Sequence, residues 1–556
     1  MQDFGESMKL RPYQQKAVDA VFRAWEDFTS TLLVLPTGTG KTICFANIVK
    51  RVQPLKCMVL AHREELIFQA QSKIAKVTGL DVQIEMAEYR AEMGGLYGAP
   101  PVVVSTIQTH CGGGDGGGRM TKFNPDDFGV LVIDEAHHAT ADTYRRVIDY
   151  YRRNPNLKVL GVTATPDRAD EEALGQVYES VAFDYEILDA IEGGWLVPIE
   201  QQIVHVDGLD FSAVRTTGDD LNGADLAAIM EYEKNLHGIA DPAIQICGDR
   251  RALVFAASVA QAERLAEIFN RHRNNCAAWV CGKTDKDERR KMLAAFAAGK
   301  LQYVVNVGCL TEGFDDAGVE VIIMGRPTKS RSLYAQMVGR ATRPAEEIAH
   351  ALNDAPSDEA RRAMIAASRK PGCLIVDFVG NSGKHKLCTT ADILGGKVSD
   401  AAVELALKQM RESGKPVDTA QALSAAEAEL ERRRQAEEAA RRASLVVRAN
   451  YRAVKVSPFD VFDITPQRAR GWDAGRQLSE KQRDVLLKQG IDADALPYHE
   501  AKQVLDEIFR RWDDGLASFK QTKVLKKNGY AAPMRQEEAR KIIDRVAQQQ
   551  GWRRAV

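Results

Sequence analysis

Three short stretches of this chain carry groups suited to handling the phosphates of a nucleotide. Pro36-Thr37-Gly38-Thr39-Gly40-Lys41-Thr42 follows the apolar run Leu32 to Leu35. Glycines there let the backbone curl, so that its N–H groups and the start of a following helix face phosphate oxygens. Lys41 adds a point charge and Thr42 a hydroxyl for Mg²⁺. The generic pattern asks for glycine at position 35, where this chain has Leu35. Further on, the run Val130 to Ile133 ends in Asp134-Glu135-Ala136-His137. An aspartate at that place can hold the Mg²⁺ shell, and a glutamate beside it can orient and deprotonate a water. The third stretch holds Arg340 and Arg343, three apart on an expected helix, so that both would share a face. Charge developing at a terminal phosphate is stabilised by such arginines only when the cleft that holds them closes.

The elements that must position these groups are legible as repeated apolar runs. Leu32 to Leu35, Met58 to Ala61, Val102 to Val104, Val130 to Ile133 and Val159 to Val162 each end in a polar or glycine-bearing turn, followed by helical spacing. Continuous rather than alternating apolarity means cover on both faces, as in a parallel sheet flanked by helices. The pattern returns in Leu253 to Ala256, Tyr303 to Val307, Val321 to Met324 and Leu374 to Val376. Two doubly wound α/β domains in tandem are expected, with ligands outside the C-terminal ends of their strands.

Further segments stand in a recognisable order. Leu10-Arg11-Pro12-Tyr13-Gln14 opens the series. Ala61-His62-Arg63-Glu64-Glu65-Leu66, Ser105-Thr106-Ile107-Gln108 and Thr163-Ala164-Thr165-Pro166 follow in the first half. Val254 through Ser258, Asn306 through Thr311-Glu312-Gly313-Phe314-Asp315, and Gln336 through Arg343 follow in the second. Over roughly residues 9 to 380 the chain resembles a superfamily 2 DEAD/DEAH-box helicase, and the opening, the acidic box and Arg326 through Arg343 look most similar to RadD-type and UvsW-like DNA repair helicases. The resemblance implies two RecA-like domains that clamp ATP with Mg²⁺. On that likeness Arg11, Gln14, Gly38, Thr39, Gly40, Lys41, Thr42, Gly313 and Asp315 would bind the nucleotide, with Thr42 and Asp134 on the metal. Lys41, Asp134, Glu135, Arg340 and Arg343 would serve hydrolysis; His137, Thr163, Thr165 and Gln336 would couple it to movement; Arg63, Thr106 and Thr311 would hold strand phosphates. The implied activity is an ATP-dependent DNA helicase or translocase, on single-stranded or branched DNA. RNA as the track, and an ATP-switched clamp without movement, are the rival readings.

Composition sets the bounds. The 556 residues are 45% hydrophobic and 27% charged, with a net charge of -2. The average hides an asymmetry: residues 401–556 carry 30 basic against 23 acidic side chains, and residues 1–400 carry 45 against 54. A basic end on an acidic motor suits a phosphate backbone, or else a solvated helical face. No run of 18 apolar residues occurs and the first residues are acidic, so neither a membrane span nor a leader is expected and the location is read as cytoplasmic. Nine scattered cysteines without a CxxC pair support neither zinc nor a disulfide framework.

The expected organisation is a first RecA-like domain over 1–200, a connection over 201–245, a second RecA-like domain over 246–395, a helical spacer over 396–450 and a mainly helical region over 451–556. Ser399 to Ser444 suggests two helices broken near Gly414, and Val446 to Ile464 alternates enough for one or two short strands near Pro458. Then comes a repeat. Ser479-Glu480-Lys481-Gln482 and Ser518-Phe519-Lys520-Gln521 both read as capping boxes, 39 residues apart, and predict helical hairpins over 479–511 and 518–548. Lys481, Lys488, Lys520, Lys523, Lys526 and Lys527 make one copy or both a candidate DNA grip, a protein-docking module and a structural cap being the alternatives. Gly112 to Gly118, six glycines in seven residues, predicts a mobile surface loop, the alternative being a loop that orders over nucleic acid with Arg119 and Lys122 on phosphate. His138 is read as incidental.

Overall fold

Seven parallel strands form the first sheet: β1 (Ser30–Val34), β2 (Lys56–Ala61), β3 (Val82–Glu85), β4 (Val102–Thr106), β5 (Phe128–Asp134), β6 (Lys158–Thr163) and β7 (Ser180–Asp184), in the order β3-β4-β2-β5-β6-β1-β7. The structure is a computed structural model. It describes residues 10–549 apart from 93–99, 113–117, 165–167, 219, 312, 315, 383–384, 396–397, 445–456, 468 and 474. β1 and β4 are buried along their whole length, as continuous apolar runs with helices on both faces require. Strands β3 and β7 lie at the two edges and are partly exposed, which explains why they made no apolar run in the sequence.

β8 (Ile199–Asp210) belongs to the second sheet. It lies parallel to the nine-residue β15 (Cys373–Asn381), so residues expected to be a connection are part of the second domain. Between them in sequence come a small hairpin, β9 (Thr216–Thr217) and β10 (Asp220–Leu221), then β11 (Ala252–Ala256), β12 (Ala277–Cys281), β13 (Tyr303–Val307) and β14 (Val321–Gly325). The order is β12-β13-β11-β14-β15-β8-β16, with β16 (Val417–Asp418) antiparallel at the edge. The helix Glu233–Cys247, also inside the expected connection, packs Leu236, Ile239, Ala240 and Ala243 into the same core as Val254 and Ile323. The second domain therefore starts near residue 199. Sequence reading placed the boundary later because β8 mixes exposed and half-buried positions and gives no clean run.

Both RecA-like lobes fall within one compact unit, residues 1–396 and 400–428; residues 397–399 and 429–556 form another. Of the stretch 446–464, expected to hold one or two short strands, residues 446–456 lie outside the described residues, and in the second unit the helix Pro458–Phe462 occupies most of the remainder. Ser457 caps it, Pro458 sits in its first turn, and Phe459, Val461 and Phe462 are buried together, so tertiary packing overrides the alternating pattern. Helices Glu480–Gln489 and Tyr498–Asp513 make one hairpin, Phe519–Lys527 and Gln536–Gln549 the other. Both Ser479 and Ser518 form the expected capping boxes. Buried Arg511 joins the hairpins: it donates to Glu507 at 2.7 Å, to Ala517 O at 3.1 Å and to the Thr522 hydroxyl at 3.2 Å, and lies over the Phe462 ring. Among the described residues no helix is long and apolar enough to cross a membrane, and no group of three His, Cys, Asp or Glu could hold a metal ion.

One buried carboxyl ties the second sheet to the helix that precedes the arginines. Asp377 on β15 accepts from the Tyr334 hydroxyl at 2.6 Å and from the Gln201 amide, and Tyr334 lies on the helix Arg331–Val338. Burial pushes this carboxyl up to about 6, although both hydrogen bonds pull it down. The native state thus binds a proton that the unfolded chain lacks between about pH 4 and 6, and above that window the charged form costs stability. Asp377→Asn should gain stability relative to the parent by about 1–2 kcal/mol between pH 5 and 8, read by denaturant melts at both values.

Candidate nucleotide site and strand contacts

Residues 36–42 leave the C-terminal end of β1 with Gly38 at φ +88° and Gly40 at φ +84°, in the left-handed region that favours glycine. A Cβ on Gly40 would also stand 2.7 Å from the Gln14 amide nitrogen. The helix Lys41–Arg51 starts directly afterwards, so its free N–H groups open where the strand ends. Asp134 is the last residue of β5, and Glu135 follows at φ +51°. Lys41 Nζ lies 2.8 Å from Glu135 Oε1, with both side chains nearly buried.

That pair fixes the electrostatics of the cleft. Burial and the neighbouring Glu135 push the Asp134 carboxyl up, despite the Lys41 charge. Glu135 is equally buried, yet Lys41 and then His137 overcome the burial and hold its carboxyl down. Two adjacent acids thus separate into a reluctant anion and a stable one. His137 Nδ1 sits 3.2 Å from the Thr163 hydroxyl at the end of β6 and 3.5 Å from Glu135 Oε2. His138, read as incidental, packs in a cluster of rings with His137, His62 and Tyr144.

The second lobe closes the cleft. Gly313, Phe314, Asp316, Gly339, Arg340 and Arg343 line it opposite Gly38, Lys41, Thr42, Asp134 and Glu135. The expected helix ends at Val338, so Arg340 and Arg343 stand in the turn beyond it and not on one helical face. Gly339 ends the helix against the first lobe: a Cβ there would meet Thr37 Cβ at 2.7 Å, and Pro344 forbids continuation. Arg340 gives Nη2 and Nε to Thr311 O at 2.7 and 3.1 Å, and Nη1 to Phe314 O at 2.5 Å, bracing the loop around Gly313. The Arg343 stem lies over Gly38, where a Cβ would meet its Cγ at 3.4 Å.

Gln14 differs from expectation. Its amide donates to Thr39 O at 2.9 Å and accepts from Arg11 N–H at 3.0 Å, so both functions are spent on the backbone. Arg11 lies over the Trp195 ring and donates to Asn353 of the second lobe at 3.1 Å. Asp316 of the second lobe lines the cleft without having been read as a nucleotide contact, as do Leu66, Gln69 and Lys73 on the helix Glu64–Thr78. Gln69 donates to Gly313 O across the cleft at 2.8 Å. The i, i+3, i+7 spacing of these helix residues after Arg63 was the available signal. A stack of Tyr13 on Tyr185, with Trp195 at its edge, was also missed because the rings are distant in sequence.

The expected strand contacts are partly engaged. Arg63 donates to Gly308 O of the second lobe at 3.3 Å. Thr106 ends β4 and caps the helix Ile107–Cys111 by accepting from Thr109 N–H. Thr311 is buried, its hydroxyl 3.4 Å from Gly308 O, and Gln336 is buried on its helix. Arg119 and Lys122, considered for phosphate, have half-buried side chains and both pair with the wholly buried Glu85, at 3.1 and 2.6 Å. Asp315, Thr165 and the centre of the glycine loop lie outside the described residues.

Two family models match the chain. That of the type III restriction enzyme res subunit covers residues 7–168, and that of the helicase conserved C-terminal domain covers residues 240–345. The first match lies on the first lobe and the second on the second lobe. The candidate ATP-dependent helicase IRC3 of Saccharomyces cerevisiae is 29% identical over 395 residues, 67% of this chain and 52% of that protein. The candidate DNA 3'-5' helicase Rad25 of Halobacterium salinarum is 29% identical over 354 residues, 61% and 53% of the two chains. The DNA 3'-5' translocase XPB2 of Sulfurisphaera tokodaii is 24% identical, over 61% and 79%. The chain spans about half the length of the first two. These relatives are of the IRC3 and Rad25/XPB kinds, a broader set than the RadD and UvsW types named from the motifs.

Lys73 supplies a cation on the cleft wall. Lys73→Ala should weaken binding of a fluorescent ATP analogue by about 3- to 10-fold with an unchanged melting temperature, since one partly screened cation contributes about 1 kcal/mol.

Proposed function

We propose that this chain is a nucleic-acid-stimulated ATPase that couples ATP hydrolysis to movement along, or separation of, DNA strands. The observation that carries the reading is the convergence of Lys41, Thr42, Asp134 and Glu135 from one lobe with Arg340 and Arg343 from the other on a single cleft. The names of the Rad25 and XPB2 relatives support DNA as the track. Branched repair or recombination intermediates are the finer proposal, which rests on the motif likeness alone.

The side chains assign themselves by charge. Lys41, now on Glu135, is the only lysine of the phosphate loop, so an arriving triphosphate draws it toward the β- and γ-oxygens. Glu135 then keeps His137 as its neighbour and is left ionised to accept a proton from the attacking water. Thr42 and Asp134 are hard oxygen donors on the cleft wall and fit Mg²⁺; a bound cation would also favour the charged form of Asp134, which burial disfavours. Mg²⁺ there would neutralise charge on the bridging phosphate oxygens. Arg343, laid on Gly38, brings the second lobe's charge to the phosphate loop, while Arg340 holds Thr311 and Phe314 at the cleft. Because His137 touches both Glu135 and Thr163, a change at the phosphate reaches the end of β6 through one side chain.

Steady-state ATPase on single-stranded DNA, duplex, fork and RNA at fixed salt tests the proposal. DNA should stimulate the parent. Glu135→Gln should lose about 10²- to 10⁴-fold in turnover while still binding ATP. Equal, slow hydrolysis by both proteins on every nucleic acid overturns the motor reading, and stimulation by RNA alone overturns the DNA assignment.

A further inference from the structure

The two C-terminal hairpins share a plan but differ in charge, and the difference falls on one helical face. Residues 479–511 hold six basic and seven acidic side chains; residues 518–549 hold eight and three. Aligned at the repeat spacing of 39, Lys520, Lys523 and Lys527 of the second copy answer Lys481, Asp484 and Lys488 of the first. One acid in the middle changes the face. In the first copy Asp484 takes Lys488 as its partner at 2.6 Å, and Arg483 of the same helix pairs with Asp494.

In the second copy nothing of the kind happens. On the helix Phe519–Lys527, positions 520, 523 and 527 fall within about 60° of arc and span about 10 Å along the axis. All three lysines are exposed, and among the described residues none has a carboxylate partner. The opposite face is fixed: Phe519, Thr522 and Leu525 are buried, and Lys526 is drawn aside to Asp463 and to Asp460 O at 2.8 Å. Phe519 packs on Phe462, which anchors the helix against the apolar cluster of the first hairpin. The first copy therefore serves as the packed base, and the second presents a row of three uncompensated ammonium groups.

We infer that the Lys520, Lys523 and Lys527 face of the second hairpin is a DNA-backbone site, and that the first hairpin is not. Three flexible point charges along about 10 Å can reach neighbouring phosphates of a strand without reading bases. The site adds a grip on DNA outside the ATPase lobes and rests on the proposal that the chain acts on DNA.

Binding of the full chain to a short mixed-sequence duplex, measured against salt concentration, tests it. Abolishing one lysine–phosphate pair flattens the log–log slope by about 0.9. Lys523→Asp, which installs the first copy's acid in the second, should flatten the slope by about 2, because it removes one ammonium group and engages Lys527 in an ion pair. Lys523→Arg should keep the slope, and so should Lys481→Ala with Lys488→Ala; unchanged melting temperatures confirm folding. An unchanged slope for Lys523→Asp, or equal flattening by the first-copy variant, overturns the inference. So does retention of the DNA slope with loss of binding to immobilised polyglutamate, which would make the face a dock for an acidic protein. ATPase on the same duplex separates the two levels: stimulation in the parent together with an unchanged Lys523→Asp slope removes only this site, whereas a parent that neither binds nor responds to DNA removes the motor reading as well.

Discussion

The ion pair between Lys41 and Glu135 is the contact on which the cleft depends. Two charges largely taken out of water in one place stabilise each other, and each has a second partner nearby, Lys41 the Asp134 carboxyl and Glu135 the His137 ring. The pair also joins two strands that are not neighbours: Lys41 follows β1 and Glu135 follows β5, with β6 between them. Its charge balance sets the adjacent groups, since Glu135 raises Asp134 and leans on His137, which reaches Thr163 at the end of the intervening strand. The nucleotide end of the first lobe is in this sense one electrostatic object spread over three strands.

The second lobe meets that object through backbone as much as through charge. Gln69 donates to Gly313 O, and Gly339 packs on Thr37 where a side chain would collide. Arg340 holds the carbonyls of Thr311 and Phe314. Exposed bridges such as Glu64 to Lys286 and Glu65 to Arg289 contribute little in water, so closure relies on these close approaches and on ligand charge. Such an interface can open without breaking a core.

Much of this was legible in the sequence because burial on both faces leaves a signature that survives without neighbours: Leu32 to Leu35 and Val130 to Ile133 could be read as strands, and the residues after them as the site. What escaped did so for physical reasons. β8 carries exposed and polar positions and gains its place only by pairing with β15. Phe459 and Val461 alternate with Asp460 between them, but with Phe462 the core they enter holds them in a helix. No spacing rule reveals that Gln14 spends its amide on the backbone around it, that Glu85 captures Arg119 and Lys122, or that Arg340 turns to carbonyls while Arg343 reaches Gly38. These are choices among partners, made by distance in the folded chain.

With Arg343 laid on Gly38, hydrolysis is expected to need a charge from the second lobe on the phosphate loop of the first. Single-turnover hydrolysis of ATP by Arg343→Ala, with binding measured separately, addresses it most directly. The hydrolysis step should fall by about 10³-fold or more with nucleotide affinity changed only several-fold. Hydrolysis at the parent rate, with both lobes folded and ATP bound, would contradict it.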